Sequence, residues 1–494
     1  MPRIQFVYAP SKTGAKLAEL GERIAPPIGI LYIASYLKRN ISGIEISIID
    51  GLISGYNNSV SKIKDFKPDI LGVSFNTPVA LSAYSLTKEI KKHLPDALII
   101  AGGPHATALP EECLRESGVD IVVIGEGEES VYEIVKKFSN EKKLDCYDLE
   151  QIKGIAFLNR GTFIQTKVRP YIKDLDSIPF PDRSLVNMSE YRGWYLCKQT
   201  PETIMIFSRG CPFQCIFCSN KVWNISYPRV RLRSPKNIVD EIELLKKEYG
   251  VQEVFDNSDE FNNSMEHAKN ICREMIKRNI GITWKTQLRA YPLDEELVEL
   301  MAKSGCWYVH LGIESGNEQT LCGIRKQITL EQVVKACYLL KKYKIKVFGL
   351  FMLFNVWEEK GQLKYEDSSL SLKTLDFAKK LIKDGLLDYI GWSITTPYPG
   401  SKLFDIAKKH NLFKPGLEKN WDSWLKDDFF VMQLPGIKDK AIAKIKTKGS
   451  ILRGWCLLKS RGLKLKDINY LVKKLFKILE NELKSRTRHL WNSR

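Results

Sequence analysis

The sequence has no long apolar run. None of its 494 residues falls in a stretch of about 18 consecutive apolar side chains, the length from which a membrane-spanning helix is inferred. The N-terminus leads directly into a strand pattern at Ile4–Tyr8 and lacks the architecture of a signal peptide. Low-complexity segments and short-period repeats are also absent. We therefore expect a globular protein of two or three domains that stays in the cytoplasm.

Histidine is scarce, and disulfide bonds are not expected. The six histidines are His93, His105, His267, His310, His410 and His489. The eleven cysteines are an odd number in a long chain, which favours a reducing compartment. Eight of them are scattered and are interpreted as single buried thiols: Cys113, Cys146, Cys197, Cys272, Cys306, Cys322, Cys337 and Cys456.

Positive charge is concentrated near the end of the chain. The net charge is +18, and residues 436–494 hold 17 Lys and Arg against 4 Asp and Glu. In this tail Leu471, Leu475, Ile478 and Leu483 alternate with lysines at about helical spacing, which predicts a basic helical region. The pattern is typical of a docked or surface helix, and the alternative is peripheral contact with an anionic membrane or an acidic substrate. Because the rest of the chain is nearly balanced, we expect no nucleic-acid partner.

Residues 1–140 alternate between strand and helix patterns. Such alternation predicts an α/β domain with a doubly wound, Rossmann-like parallel sheet. The predicted strands are short β-branched runs at Ile4–Tyr8, Glu45–Ile49, Ile70–Ser74, Ala97–Ala101 and Asp120–Gly125. The predicted helices between them are Ile28–Arg39, Ala80–His93, Pro110–Glu116 and Glu129–Phe138.

Small and polar residues follow three of these strands. Ligands of parallel sheets lie beyond the carboxyl ends of the strands, and glycine lets the backbone approach a ligand closely. The candidate ligand-binding residues are therefore Ser74, Asn76, Thr77, Gly102, Gly103, Pro104, His105, Gly125, Glu126 and Gly127. Glycine-rich loops are common, so a purely structural role is the alternative.

A hairpin and a linker are predicted for residues 141–195. Gly154–Thr166 has a hairpin pattern with its turn at Asn159–Gly161, and the prolines of Leu175–Arg183 exclude regular structure. Residues 196–433 contain six further strand–helix units, which predict a partial (βα)6 barrel of TIM type. Its strands are Thr203–Phe207, Glu253–Phe255, Thr283–Thr286, Trp307–Gly312, Lys346–Leu353 and Asp388–Thr395. Residues 434–494 form the basic helical tail.

The remaining three cysteines lie together after the first strand of the barrel. Cys211, Cys215 and Cys218 are spaced CxxxCxxC on the loop that follows Thr203–Phe207. Thiolates at this spacing can hold three irons of a [4Fe–4S] cluster, and the fourth iron is then free to bind another ligand. A structural zinc ion is the alternative, but it needs four ligands, and no second CxxC pair or suitably spaced histidine lies nearby.

This motif resembles the signature of the radical S-adenosylmethionine superfamily, CxxxCxΦC with an aromatic residue at Φ. Cys211, Cys215, Phe217 and Cys218 match it in full. The resemblance implies that the three cysteines hold a [4Fe–4S] cluster whose open iron binds the amino and carboxylate groups of S-adenosylmethionine. One electron from the cluster then cleaves the C–S bond and releases a 5′-deoxyadenosyl radical. A reductant such as flavodoxin or ferredoxin is implied as a partner.

The second barrel strand carries a further match to this superfamily. Phe255–Phe261 is similar to the segment that usually contains F-x-D-D-x-F, with Ser258 at the first acidic position and Asp259 at the second. An acidic side chain here can accept hydrogen bonds from the methionine ammonium group. Because Ser258 departs from the pattern, the resemblance leaves Asp259 and Asp256 as alternatives for this contact.

Later barrel strands match the superfamily as well. Arg289, after the third strand, matches an arginine that lies near the cofactor carboxylate. Gly312–Gly316 matches a G-I-E-S-G motif, which implies cofactor contacts through Glu314 and Ser315. Thr396–Ser401 matches the turn after the sixth strand. The matches therefore extend over most of the predicted barrel.

A doubly wound domain ahead of such a barrel resembles the cobalamin-binding class of the superfamily. Pro26–Leu31, Gly102–His105 and Gly125–Glu128 are similar to stretches of that class. The D-x-H-x-x-G motif that supplies a lower axial histidine in many cobalamin domains is absent, and no histidine lies in the segment directly after the first strand. The resemblance therefore implies cobalamin without a histidine on the lower face of cobalt, and the alternative is a domain that has lost cobalamin.

The resemblance implies a cobalamin-dependent radical methyltransferase that acts on an unactivated carbon of a small-molecule or lipid-like substrate. One S-adenosylmethionine would methylate cobalamin, and a second would give the radical that takes a hydrogen from the substrate. The alternatives are a cyclase or rearrangement enzyme acting on a tetrapyrrole or natural product, a tRNA methylthiotransferase, and a non-catalytic cobalamin sensor or carrier. The methylthiotransferase is disfavoured because only Cys113 and Cys146 lie in the N-terminal region. The sequence does not identify a catalytic side chain.

Overall fold

Two parallel sheets, one in each half of the chain, organise the structure. The structure is a computed structural model that describes residues 2–11, 25–141, 144–191, 196–222, 224–424 and 430–461. Both sheets carry helices between successive parallel strands, which confirms the predicted α/β class.

The N-terminal sheet has seven strands in the order β2-β1-β3-β4-β5-β6-β7. The first five run parallel, and β6 and β7 form an antiparallel hairpin that pairs with β5. The predicted Gly154–Thr166 hairpin is therefore confirmed, and it extends the sheet beyond residue 140. The strands are β1 Arg3–Tyr8, β2 Glu45–Asp50, β3 Ile70–Ser74, β4 Leu98–Gly102, β5 Ile121–Val123, β6 Ile155–Asn159 and β7 Thr162–Gln165.

Helices cover both faces of this sheet. Apolar side chains of α1 and α7 pack on one face, and those of α3 and α4 pack on the other. Burial on both faces explains why the strands are continuous apolar runs. The helices are α1 Ile28–Asn40, α2 Gly51–Ser54, α3 Tyr56–Phe66, α4 Ala80–His93, α5 Pro104–Ala108, α6 Pro110–Glu116, α7 Glu128–Glu141 and α8 Cys146–Gln151.

The second sheet is an open barrel of six parallel strands in chain order, β8-β11-β12-β13-β14-β17. This order confirms the predicted (βα)6 architecture. Two short antiparallel pairs, β9–β10 and β15–β16, lie outside it. The strands are β8 Glu202–Met205, β9 Ser208–Arg209, β10 Arg231–Leu232, β11 Glu253–Asp256, β12 Thr283–Leu288, β13 Cys306–Glu314, β14 Lys346–Leu353, β15 Val356–Glu359, β16 Gln362–Tyr365 and β17 Tyr389–Ile394.

Side-chain caps fix the starts of many barrel helices. Ser234 accepts a hydrogen bond from Asn237 N–H, and Pro235 occupies the first turn, so the helix begins where its sequence demands. The helices are α9 Pro235–Tyr249, α10 Met265–Lys277, α11 Glu295–Lys303, α12 Glu318–Gly323, α13 Leu330–Lys342, α14 Ser368–Lys383, α15 Lys402–Lys409 and α16 Asp439–Arg461.

The segment after the barrel returns to the N-terminal domain. Trp421 donates a hydrogen bond from Nε1 to Glu112 (2.7 Å), and its ring lies 5.0 Å from that of His105. Helix α16 packs against α14 and β17. The predicted tail helix around Leu471 lies outside the described residues. Within the described ranges, no helix is both long enough and apolar enough to cross a membrane.

A buried ion triad joins the linker to the barrel. Glu241 of α9 accepts hydrogen bonds from Arg183 of the linker (2.8 Å) and from Arg233 (2.6 Å). None of the three side chains is more than 4% exposed. Arg233 also lies 3.4 Å from the hydroxyl of Tyr32 on α1, so the triad reaches the N-terminal domain. Burial alone would raise the pKa of Glu241, but the two guanidinium groups hold it below its ordinary value.

We predict that Glu241→Gln lowers the free energy of unfolding by about 3–5 kcal/mol, because two buried arginines lose their charged partner. Urea denaturation followed by fluorescence measures this change. Glu299→Gln is the control, since Glu299 pairs with Lys303 on an exposed helix face, and it should cost less than about 1 kcal/mol. Equal effects of the two substitutions would contradict the role of the triad.

Candidate active site

The three motif cysteines lie on a loop whose stem is the β9–β10 ribbon. Gly210 follows β9 with φ +86°, and a Cβ on it would lie 1.7 Å from the carbonyl oxygen of Arg229, so only glycine fits there. The backbone N–H of Gly210 donates to Asp259 (2.9 Å), and Asn224 donates to the carbonyl of Cys211 (3.0 Å). The loop is thereby fixed immediately before and after its first cysteine.

The thiols of Cys211, Cys215 and Cys218 are half-buried and form no disulfide. Burial and the nearby Glu260 carboxylate raise the pKa of Cys211 to about 12. Burial also raises the pKa of Cys215, although Lys326 and Arg289 act in the opposite direction. Iron must therefore displace thiol protons when it binds. Phe217 is partly buried against the main core.

The donor set of this loop fits a multinuclear cluster. In the described part of the chain, no three His, Cys, Asp or Glu side chains converge on a position for a single metal ion. A cubane cluster instead distributes its thiolates over different irons. The sequence alternative of a structural zinc ion, which needs four converging ligands, gains no support from this arrangement.

Arg289 and Glu260 present unpaired polar atoms next to the cysteines. Arg289 is 3% exposed, and among the described residues its Nε and Nη2 have no hydrogen-bond partner. Its guanidinium group stacks on the ring of Phe213 at 3.7 Å. Glu260 lies 3.8 Å from the sulfur of Cys211, and its Oε1 has no partner within the described ranges. A buried cation and a buried acid that both have atoms free to form hydrogen bonds fit a zwitterionic ligand such as an amino acid.

Asp256 and Asp259, the two acids considered from the sequence, differ in their surroundings. Asp256 is buried in the barrel and accepts from the hydroxyls of Ser258 (2.5 Å) and Thr286 (2.9 Å). Ser258 in turn accepts from the backbone N–H of Phe207 (2.7 Å), so the residue that departs from the acidic motif supports the cluster loop. Burial raises the pKa of Asp259, which receives one hydrogen bond from Gly210. Asp259 is therefore bonded directly to the cluster loop at Gly210, whereas Asp256 is held by hydroxyl groups of the barrel.

Glu260 was not singled out from the sequence. Burial raises its pKa to about 7, although the charges of Lys326 and Arg289 oppose this rise. The only local signal is an acidic pair, Asp259 and Glu260, directly after a strand end. The distance to Cys211 arises from tertiary packing, which the sequence does not display.

Glu314 lies at the end of β13 in a strained backbone conformation. Its φ is +66°, in the left-handed region, and the pairing register shifts between Gly312 and Glu314. Its carboxylate accepts from Lys326 Nζ (2.9 Å), a buried lysine that the sequence analysis missed. Strain of this kind at a strand end is typical of functional positions. The hydroxyl of Ser315 is engaged elsewhere, because it donates to Glu366 (2.8 Å).

The loops after β3 and β4 leave open space at the sheet edge. Ser74 and Gly102 are neighbours in the β3–β4 register, and a Cβ on Gly102 would meet nothing within 4 Å. Asn76 has a buried Oδ1 without a partner among the described residues. Gly103 has φ +94°, and a Cβ there would collide with the backbone of Phe75. The cradle at Gly102 and the unpaired Asn76 fit a ligand beyond this edge.

His105 and Thr77 form contacts within the domain. His105 is fully buried, its Nδ1 lies 3.1 Å from Thr77 Oγ1, and its Nε2 lies 3.0 Å from Tyr84 OH. Burial lowers the pKa of His105, although Glu112 opposes this. Both ring nitrogens thus have partners within the N-terminal domain. Pro104 begins α5 beside it.

The loop after β5 lies against the barrel. A Cβ on Gly125 would lie 2.8 Å from the side chain of Ile225, and one on Gly127 would lie 2.7 Å from Ile33. The carboxylate of Glu126 binds Arg231 through both oxygens, at 2.7 and 2.8 Å. The structure therefore brings this loop to the stem of the cluster loop, a contact the sequence did not predict.

Two families of known proteins match the chain. The B12 binding domain family matches residues 18–135, and the radical SAM superfamily matches residues 205–360. A relative from Pyrococcus horikoshii, named as the uncharacterized methyltransferase PH0819, is 30% identical over 452 residues, 91% of this chain and 92% of its own length. The anaerobic magnesium-protoporphyrin IX monomethyl ester cyclase of Rubrivivax gelatinosus is 31% identical over 83% of this chain and 71% of its own length.

A solved structure confirms the fold. The radical S-adenosylmethionine methyltransferase TsrM from Kitasatospora setae, with cobalamin and a [4Fe–4S] cluster bound, has a TM-score of 0.65 at 19% identity. The match covers 84% of this chain and 80% of that chain. The chain belongs to the cobalamin-dependent radical S-adenosylmethionine enzymes. Membership gives it three cofactors: a [4Fe–4S] cluster, S-adenosylmethionine and cobalamin.

We predict that Cys215→Ala abolishes the [4Fe–4S] cluster, because it removes one of the three thiolates that bind the irons. After anaerobic reconstitution, iron and sulfide analysis and the iron–sulfur absorption band measure the loss. Cys322→Ala is the control, since Cys322 is an exposed thiol on the nearby helix α12. Full iron content in Cys215→Ala, or equal loss in the control, would contradict the ligand assignment.

Proposed function

We propose that the protein is a C-methyltransferase that methylates an unactivated carbon of a small-molecule or lipid-like substrate. The observation that carries this proposal is the similarity to the relative named as a methyltransferase, which extends over 92% of that protein's length. The similarity to the cyclase covers 71% of that protein. The chain thus corresponds over nearly its whole length to a protein named for methyl transfer.

The proposal assigns the cofactors to residues of this chain. Cys211, Cys215 and Cys218 hold the cluster, and Arg289 binds the carboxylate of S-adenosylmethionine through its unpaired guanidinium nitrogens. The methionine ammonium group is bound by Asp259, predicted from the sequence, with Glu260 beside it. When bound, the cofactors supply a 5′-deoxyadenosyl radical and a cobalamin-borne methyl group.

Residues that surround the cysteines prepare the site for these ligands. The pair Glu314–Lys326 is buried and closes the side of the site at the end of β13. The guanidinium group of Arg289 stacks on Phe213 of the cluster loop. This contact holds the guanidinium group in place and leaves its nitrogens free to bind a ligand. On the other side, the loops at Ser74 and Gly102 are proposed to face cobalamin. The protein thereby orients the cofactors and excludes water.

A cyclase or rearrangement enzyme is the second candidate function. It is favoured by the 31% identity to the anaerobic cyclase, which is as high as the identity to the methyltransferase relative. The two candidates require the same cofactors, and they differ in whether the product keeps a transferred methyl group. The experiment must therefore follow the methyl group.

We predict that the anaerobically reconstituted enzyme forms S-adenosylhomocysteine together with 5′-deoxyadenosine when it turns over its substrate. A metabolite extract of the source organism serves as the substrate pool, with S-adenosylmethionine that carries a deuterated methyl group. Mass spectrometry should find a product heavier than its precursor by one labelled methyl group for each transfer. The physical reason is that one cofactor molecule donates the methyl group and a second donates the radical.

Cys215→Ala is the control, and it should form neither the labelled product nor 5′-deoxyadenosine. Formation of 5′-deoxyadenosine without S-adenosylhomocysteine would contradict the methyltransferase proposal. An unlabelled product with an additional ring would instead support the cyclase.

A further inference from the structure

The stem of the cluster loop brings two arginines face to face. In the antiparallel β9–β10 ribbon, Arg209 and Arg231 are directly opposite each other. Opposed residues of such a pair have Cβ atoms only about 4.5–5.5 Å apart, and like charges at this position destabilise the pairing. The cluster loop lies between these two residues in the chain, so a nearby negative charge stabilises its stem.

Glu126 of the N-terminal domain supplies that charge. Its carboxylate accepts from Arg231 Nη1 (2.8 Å) and Nη2 (2.7 Å), and Arg209 Nη1 lies 3.2 Å from Oε1. Glu128, two residues further along, accepts from Arg209 Nη2 at 2.6 Å. We call these four residues the loop clamp. Two carboxylates, one from the loop after β5 and one from the first residue of α7, thus neutralise two arginines at the stem of the cluster loop.

The loop clamp is largely buried, and the side chains of Glu126 and Arg209 are 16% and 18% exposed. Arg231 is 4% exposed and Glu128 is 3% exposed. Burial alone would raise the pKa of Glu126, but the hydrogen bond from Arg231 and the charge of Arg209 hold it below its ordinary value. In such surroundings the loss of one partner leaves an unpaired buried charge, which is far more costly than the loss of a surface ion pair.

Other contacts surround the loop clamp and restrict the two loops further. The guanidinium group of Arg231 stacks on the ring of Tyr171 at 4.2 Å. The hydroxyl of Tyr171 accepts from the backbone N–H of Ile225 (2.6 Å), which follows the cysteines. The side chain of Ile225 in turn lies close to Gly125, whose φ is +81° and where a Cβ would be 2.8 Å from Ile225 Cδ1. The position of one loop therefore determines the position of the other.

We propose that the loop clamp is a positioning device that sets the distance between the cobalamin-facing edge of the first domain and the iron–sulfur cluster of the second. This inference rests on the proposed binding of the two cofactors at these two edges. Glu126 is then a positioning residue rather than a cofactor contact, because its carboxylate is occupied by Arg231 and Arg209. A displacement of about 1 Å between reacting groups is enough to reduce a reaction rate by about 10²-fold.

The first test needs no cofactor. In the full-length protein, Glu126→Gln keeps the size of the side chain and removes its charge. Hydrogen–deuterium exchange should become faster, by at least about tenfold, in peptides that contain β9, β10 and the loop after β5. Glu133→Gln is the matched control, since Glu133 lies seven residues further along on α7 and also pairs with an arginine, Arg169 (2.6 Å), and no hydrogen bond or ion pair among the described residues joins it to the cluster loop. The control should leave these peptides unchanged.

The second test reports the distance itself. In the enzyme loaded with cob(II)alamin and a reduced cluster, the cluster shortens the electron-spin relaxation time of cobalt. The effect grows steeply as the distance between cobalt and the cluster decreases. Glu126→Gln should weaken or broaden this effect while iron and cobalamin contents stay at wild-type levels. The double variant Glu126→Gln/Arg231→Gln removes the opposed charges, so it should recover thermal stability but not the wild-type relaxation.

Three outcomes would overturn the inference. The first is wild-type exchange and wild-type relaxation in Glu126→Gln. The second is a proportional loss of cobalamin with normal relaxation in the remainder, which would make Glu126 a cofactor contact. The third is recovery of normal relaxation in the double variant, which would reduce the loop clamp to a stabilising role. If Glu126→Gln does not fold, Glu128→Gln is measured in its place, with the same expectations.

Failure of the proposed function is distinguishable from these outcomes. A product with a new ring and no labelled methyl group would overturn methyl transfer and leave both clamp measurements valid. A wild-type protein that binds no cobalamin would overturn the clamp inference together with the cofactor assignment.

Discussion

Buried arginine is the constraint on which this structure depends. A guanidinium group cannot lose its charge at any ordinary pH, so a buried arginine is strongly stabilised by a carboxylate partner. At the junction of the two domains, Arg183 and Arg233 find Glu241, and Arg231 finds Glu126. The pairs Arg183–Glu241 and Arg231–Glu126 join residues that are 58 and 105 positions apart in the chain. The relative position of the two domains follows from these pairings as well as from apolar packing.

The strands and most helices could be predicted because their signals are local. Ile70–Ser74 and Lys346–Leu353 were predicted to the residue, since apolar periodicity and flanking turn residues define both ends. Helix Tyr56–Phe66 was missed because its sequence contains asparagines and serines, which are weak helix formers. The edge position of Gly154–Thr166 depends on pairing with β5, a long-range contact that no local pattern encodes.

In the candidate site, too, the residues with a local sequence signal could be predicted and those brought together by folding could not. The three cysteines could be found because a cluster ligand set on one loop is a contiguous motif. Lys326 could not be found from the sequence, because it follows Glu314 by 12 residues. The two side chains meet in a fold in which Glu314 and Arg325 have positive φ. For Glu260, the only sequence signal of a role in the site was its acidic neighbour Asp259. The chemistry of the site therefore depends on charges whose proximity is created by folding.

The hydrogen bond from Trp421 to Glu112 has a consequence for the synthesis of the protein. The two residues are 309 positions apart, so a ribosome that adds about 5–20 residues per second needs roughly 15–60 s to pass from one to the other. During this interval the nascent N-terminal domain lacks the indole that packs on His105. The contacts of Trp421 with Glu112 and His105 are thus made only after all six strands of the barrel have been translated.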